Sequence, residues 1–333
     1  MVTKILKEKN LHEFIEKLSG EYDVIVPVKD GEQVVFKKYE KGDEVVLEYG
    51  TTMLPPKKFL LPQYETMMKY GKDGIKPVKA TERKLAFLGL HSCDIHAFSL
   101  LDLVEKDEMP DPYYSARRDG MLIVGITCTM PTEFCFCESM GTDKTKDFDL
   151  WLTPVANGFL IETGSKTGEA LIEKNRMLML DALPPKKKSL KLAKKVNIKN
   201  LEKILKEKMG DKIWEELGNK CLSCGACTFV CPTCYCYSVV DNTDLTLKNG
   251  ERVRYWDSCQ LIDFARCAGG HNFRGTRAAR MIQRMYHKMC YFTEKYKVSL
   301  CVGCGRCIKH CVADIDIAEA MNKVQITQVK EVN

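Results

Sequence analysis

Runs that are apolar throughout, or that alternate apolar with polar, occur at YDVIVPV (22–28), EVVLEYG (44–50), KLAFLGL (84–90) and MLIVGIT (121–127). Period two and short apolar runs predict strands there. Apolar spacings of three and four predict helices over 11–19, 63–70 and 94–106, and the N-terminal stretch 1–18 reads as amphipathic helix. Strand, helix and strand between Leu85 and Thr127 make a βαβ unit, which requires a parallel pair. Residues 149–164 predict a hairpin turning at Asn157–Gly158, with a helix following near 166–180. Two prolines and a lysine run predict a linker at 182–196. A helix over 197–217 then leads to Cys221, Asn249–Gly250 predicts a turn, and helices are expected near 258–267 and 275–295.

Chemistry enters with two cysteine runs, CLSCGACTFVCP and CVGCGRCIKHCV. Both have the C-x2-C-x2-C-x3-C spacing of bacterial ferredoxins, in which three thiolates hold one 4Fe–4S cluster and the fourth crosses to the other. The expected ligands are Cys221, Cys224, Cys227 and Cys311 for one cluster, and Cys301, Cys304, Cys307 and Cys231 for the other. Gly225, Gly303 and Gly305 lie inside these loops, where a missing Cβ allows close approach. The fold class that follows is an α/β domain (1–181), a Lys-rich linker (182–196) and an α-helical ferredoxin-like domain with two 4Fe–4S clusters (197–333).

A third constellation follows from topology. Cys93 and Cys128 each follow a strand of the βαβ unit, so both emerge at the carboxyl edge of the sheet, where ligands of open α/β sheets collect. Cys135 and Cys137 follow in the next loop. Four thiols at one rim suit a third 4Fe–4S cluster or a four-thiolate zinc site; the alternative is that they are small buried packing residues. Cys234, Cys236 and Cys259 could ligate a further centre, line a cluster pocket or simply pack, whereas Cys267 and Cys290 read as packing residues. The histidines at 91, 96, 271, 287 and 310 read as ordinary polar residues. Arg277, Arg280 and Arg284 share one helix face, able to dock a partner, offset cluster charge or face solvent.

Composition narrows the class. The chain has 333 residues, 45% hydrophobic and 29% charged, enough for two folded domains, and no apolar run of membrane-spanning length. Seventeen cysteines without a secretory leader point to metal rather than disulfides and to a reducing cytoplasm. The net charge of +6 resides in one block: Pro184–Lys212 holds eleven Lys against Glu202, Glu207 and Asp211. That block could meet a polyanion, but a solvated linker and helix face is the simpler reading. No GxGxxG fingerprint, Walker loop or Ser/His/Asp arrangement occurs, so no nucleotide site or substrate-chemistry residue is expected of this chain.

Several stretches together resemble a known family. They are HSCDIHAFSLLD (91–102), DPYYSARR (111–118), GITC…FCFCESMGT (125–142), CLSCGACTFVCPTCYCYSV (221–239), YWDSCQ (255–260), AGGHNFR (268–274) and CVGCGRC (301–307). The chain is similar to the beta subunits of cytosolic NiFe hydrogenases (sulfhydrogenases) and to the corresponding iron–sulfur subunit of anaerobic sulfite reductase, over nearly its whole length. The resemblance implies a non-catalytic electron-transfer subunit working between a flavin subunit that oxidises NAD(P)H and a terminal enzyme. That terminal enzyme would be a NiFe hydrogenase or a sirohaem sulfite reductase, with no membrane insertion and no nucleic acid. Val312 departs from the family pattern, which has proline after the last cysteine of the second run. The rival from another class, a zinc-stabilised nucleic-acid-binding protein, fits triple-cysteine runs poorly.

Overall fold

The computed structural model describes residues 3–80, 83–182 and 191–326; the lysine run at 183–190 lies outside the described residues. The strands are β1 (Thr3–Lys7), β2 (Asp23–Asp30), β3 (Gln33–Lys38), β4 (Tyr64–Gly71), β5 (Gly74–Pro77), β6 (Leu85–Leu90), β7 (Leu122–Ile126), β8 (Leu150–Val155), β9 (Gly158–Thr163), β10 (Met179–Asp181), β11 (Tyr237–Thr243) and β12 (Gly250–Trp256). Eight of them form one mixed sheet in the order β10-β1-β9-β8-β7-β6-β2-β3. Its centre, β2, β6, β7 and β8, is parallel. The predicted βαβ unit and the 149–164 hairpin are both present, with Ala86 opposite Leu122 and Val155 opposite Gly158.

Strands β6 and β7 are apolar and buried throughout because both faces are covered. Helices α1 (Leu11–Ser19) and α4 (Lys166–Lys174) cover one face, and α2 (Ser92–Glu105) and α3 (Pro112–Arg118) cover the other. Side chains alternate accordingly. Val24, Val26, Ala86, Leu88, Leu122 and Val124 pack with Phe14, Ile15 and Leu171, whereas Ile25, Phe87 and Ile123 pack with Ile95, Phe98 and Tyr114.

The C-terminal part holds α5 (Leu201–Glu207), α6 (Ile213–Lys220), the single turn α7 (Ala226–Phe229), α8 (Arg277–Tyr286), α9 (Phe292–Tyr296), the single turn α10 (Arg306–Lys309) and α11 (Ile317–Ile326). Trp214, Met285, Tyr286 and Met321 form its apolar centre. Strands β11 and β12 interrupt the helices and join β4 and β5 in a second sheet, β11-β12-β4-β5. The expected N-terminal and C-terminal domains therefore share a sheet across the 182–196 segment. Buried Glu65 on β4 pairs with Arg254 on β12 at 2.7 Å, and Arg254 also contacts Asp111 at the start of α3.

Several local expectations are corrected. Residues 63–70 form β4 rather than helix, because their backbone is claimed by β12 and β5. Residues 44–50 make only the isolated bridge Val45 to Val28 and instead tuck Tyr49 under the sheet, where its hydroxyl donates to the Gly89 carbonyl at 2.7 Å. Thr3–Lys7 is an antiparallel strand between β9 and β10. The 197–217 helix breaks between α5 and α6 at a turn containing Gly210, and 258–267 is irregular apart from a short 3-10 turn at Asp263–Ala265. After α4 the chain turns at Asn175 into a short 3-10 turn (Arg176–Leu178) and then β10, so the α-helix stops short of 180.

Candidate metal centres

The parallel arrangement brings the first thiols together. Strand β6 delivers Cys93 to the first turn of α2, and β7 ends just before Cys128 at the same sheet edge. Gly125 in β7 has no room for a Cβ, since the Trp151 ring of β8 lies against it. Cys135 and Cys137 come back to this rim: Cys128 and Cys135 are both charge neighbours of Cys137, and Cys137 neighbours Cys93. Burial pushes Cys137 up to about 12 and Cys128 up to about 11, and it raises Cys93 well above its usual range. Such thiols become thiolates only against a cationic centre.

The second group is built directly on the first. Gly303 and Gly305 have φ of +63° and +73°, and a Cβ on either would stand 2.6 Å from Phe136 C or 2.5 Å from Phe134 O. These glycines therefore let the 134–137 loop lie on the CVGCGRC loop. Phe136 N donates to Gly303 O at 2.8 Å, Thr142 Oγ1 donates to Val302 O at 2.7 Å, and Cys135 Sγ approaches Cys304 O at 3.6 Å. One cavity here is lined by Cys231, Cys301, Cys304 and Cys307, with Arg284 and Lys288. Burial pushes Cys301 up to about 11 and Cys304 and Cys307 up to about 12.

A neighbouring cavity is lined by Cys221, Cys224, Cys227 and Cys311, with Gln260, Met281 and again Arg284 and Cys307. Each cavity thus gathers three cysteines of one run and the last cysteine of the other. The two single-turn helices α7 and α10, each entered through a left-handed glycine, Gly225 or Gly305, point the runs at one another. The outer cavity reaches the surface, where Cys224 is exposed, Leu222 is 62% exposed and Val312 is 68% exposed. The inner cavity is covered by Phe136 and the 301–305 loop.

Among the described residues no three His, Cys, Asp or Glu side chains close on a single ion position. The thiols of the two cysteine runs instead line two cavities, an arrangement that suits a multi-iron cluster. The donor set is all thiol, the sites are walled by apolar side chains, and buried cations stand close by. The residues fit 4Fe–4S groups.

Four buried cations stand around these cavities, and sequence reasoning named one of them, Arg284, as able to offset cluster charge. Arg306, between Cys304 and Cys307, is fully buried against Asp94, which follows Cys93. Arg284 and Lys288 line the cavities, and Lys57 donates to Cys234 O while standing 4.4 Å over the Trp256 ring. The only sequence signal was the Arg277, Arg280 and Arg284 stripe, and two of its members prove buried: Arg280 at 4% exposure and Arg284 at 2%.

The leftover cysteines divide. Cys236 and Cys259 are in mutual hydrogen-bond contact, and Cys234 lies 3.9 Å from Arg284 Nη1. Cys290 is a packing residue, 0% exposed, but Cys267 is exposed and packs nothing. Three of the histidines have other partners: His91 stacks on Tyr49 at 4.2 Å, His96 bonds Lys144 O at 2.7 Å and His287 bonds Tyr235 Oη at 2.9 Å. Described lysines of the basic block make surface ion pairs, Lys194 with Asp316 and Lys206 with Glu202 and Glu294.

A 4Fe-4S dicluster domain matches residues 220–315, a span that contains both cysteine runs and so every thiol of the two cavities. The chain is also 38% identical over 323 residues to sulfhydrogenase 2 subunit beta of Pyrococcus furiosus, covering 94% of this chain and 95% of that one. The chain belongs to the sulfhydrogenase beta-subunit family. It is an iron–sulfur electron-transfer subunit of an oxidoreductase. No solved structure matches it. Among the described residues no helix is long and apolar enough to cross a membrane.

Proposed function

We propose that the subunit holds three 4Fe–4S clusters in series and performs no substrate chemistry of its own. The ligand sets are Cys221, Cys224, Cys227 and Cys311 at the outer cavity, Cys301, Cys304, Cys307 and Cys231 at the inner one, and Cys93, Cys128, Cys135 and Cys137 at the sheet edge. The carrying observation is that the three thiol groups share walls: Cys307 lines both cavities, and Cys135 Sγ meets the Cys304 carbonyl at 3.6 Å.

Clusters in these sites supply one-electron storage at potentials set by hydrogen bonds, charge and burial. The chain's own residues do the rest. The glycines of the two runs allow close packing of the loops, Phe136 and Val302 exclude water from the inner cavity, and buried cations balance thiolate charge. The partners at the two ends are a flavin subunit that takes electrons from NAD(P)H and a terminal NiFe hydrogenase, in the cytoplasm. The relative's name favours this terminal enzyme over sulfite reductase.

The test uses the full chain purified without oxygen. It should be reduced by a strong chemical reductant and show no NAD(P)H-dependent dye reduction until the flavin subunit is added. NAD(P)H oxidation by the pure chain would overturn the carrier reading.

A further inference from the structure

Cations buried near the thiols are of two kinds. Arg306 is neutralised: its Nη1 and Nη2 donate to the two carboxylate oxygens of Asp94 at 2.7 and 2.8 Å, and its Nε donates to Thr52 O at 2.8 Å. Arg280 places Nη1 on Arg274 O and Gly275 O and Nη2 on Ser223 Oγ, leaving only its Nε buried without a partner. Arg284 differs. It is 2% exposed, its Nη1 faces Cys234 Sγ at 3.9 Å, and its Nη2 is buried with no hydrogen-bond partner. The groups around it able to carry negative charge are the thiols of Cys227, Cys307, Cys234 and Cys231, and the Lys288 ammonium is a further cation nearby. An unpaired buried guanidinium is strongly unfavourable unless an anion compensates it. Among the described residues Arg284 is also the one cation that lines both cavities, whereas Lys288 lines the inner cavity alone.

We infer that Arg284 is the shared electrostatic tuning residue of the two ferredoxin-type clusters, holding both potentials up together, while Lys288 raises the inner one separately. This rests on the reading that a 4Fe–4S cluster occupies each cavity. Reduction adds one negative charge to a cluster. A fixed cation a few ångströms away in a low-dielectric site stabilises that added charge and raises the potential. Because Arg284 stands between the cavities, one side chain raises the potential of both neighbouring centres. Lys288 anchors its ammonium on Thr233 Oγ1 at 2.9 Å and Leu300 O at 3.0 Å, beside Cys231 and Cys301.

The experiment is an anaerobic redox titration of the full chain followed by paramagnetic resonance, with iron content measured in parallel. Arg284→Gln and Arg284→Met should keep both clusters and lower both potentials, and Arg284→Lys should move them back toward the parent values. Lys288→Met should lower only the centre held by Cys301, Cys304, Cys307 and Cys231. Two intact clusters with unchanged potentials in Arg284→Gln, or a shift in only one, would overturn the inference. So would a chain that folds with Lys but with neither neutral residue at 284, because the charge would then serve folding. A parent chain without two clusters in these cavities would instead overturn the reading beneath it.

Discussion

Arg306 and Asp94 form a two-pronged ion pair with both side chains at 0% exposure, 212 positions apart in the chain. Arg306 sits inside the second cysteine run and Asp94 directly follows Cys93, so the pair locks the inner cavity to the sheet edge. Removing one member of a buried pair strands the other and costs about 3–5 kcal/mol. Arg306→Met or Asp94→Asn should therefore lower stability by that amount in anaerobic denaturant unfolding. The double change Arg306→Met with Asp94→Leu should recover much of the loss, because no charge is stranded.

The proposed crossed ligation gives the last cysteine of each run to the centre built on the other run. Cys231→Ala should damage the centre built on Cys301, Cys304 and Cys307, and Cys311→Ala the centre built on Cys221, Cys224 and Cys227. Resonance spectra that distinguish the two clusters check this. Damage confined to each mutated residue's own run would mean that the assignment is reversed.

The sheet-edge group makes a stoichiometric statement. Cys135→Ser with Cys137→Ser removes two of four anchors and should lower the iron content of the full chain by about four, the content of one cubane. The spectra of the other two clusters should persist. An unchanged iron content would return these cysteines to packing.

Glu105, at the end of α2, provides a pH signature away from the metal sites. Burial, with Asp111 adding to it and Arg254 opposing, pushes its carboxyl up to about 7, and the Tyr114 phenol also faces it. The unfolded chain releases this proton near 4.5. The folded state therefore binds more protons between these values, and stability falls as pH rises from about 4.5 to about 7, then levels off. Glu105→Gln should flatten that slope and stabilise the fold at pH 8 by about 1–3 kcal/mol. Unfolding midpoints across this range measure it.

Much of the eight-stranded sheet was legible because β6, β7, β8 and β9 are short apolar strands bounded by turns, and the cysteine spacings carry their chemistry locally. The second sheet was not. β11 is mostly exposed and carries little core pattern, and β4 reads as helix until β12, about 190 positions later, pairs with it. The same distance in sequence hid Asp94 from Arg306. The inward turn of Arg280 and Arg284 was left open for another reason: a cationic stripe ordinarily faces water, and burial is made tolerable by backbone carbonyls and Ser223 for Arg280 and by the thiol-lined cavities for Arg284.

The central claim is that thiol groups in contact hold clusters in series. Full chain prepared without oxygen should contain about twelve irons, four for each cubane, and on full reduction its resonance spectrum should show magnetic interaction between neighbouring clusters. Stoichiometric zinc with little iron, or reduced clusters whose spectra are those of isolated, non-interacting centres, would contradict it.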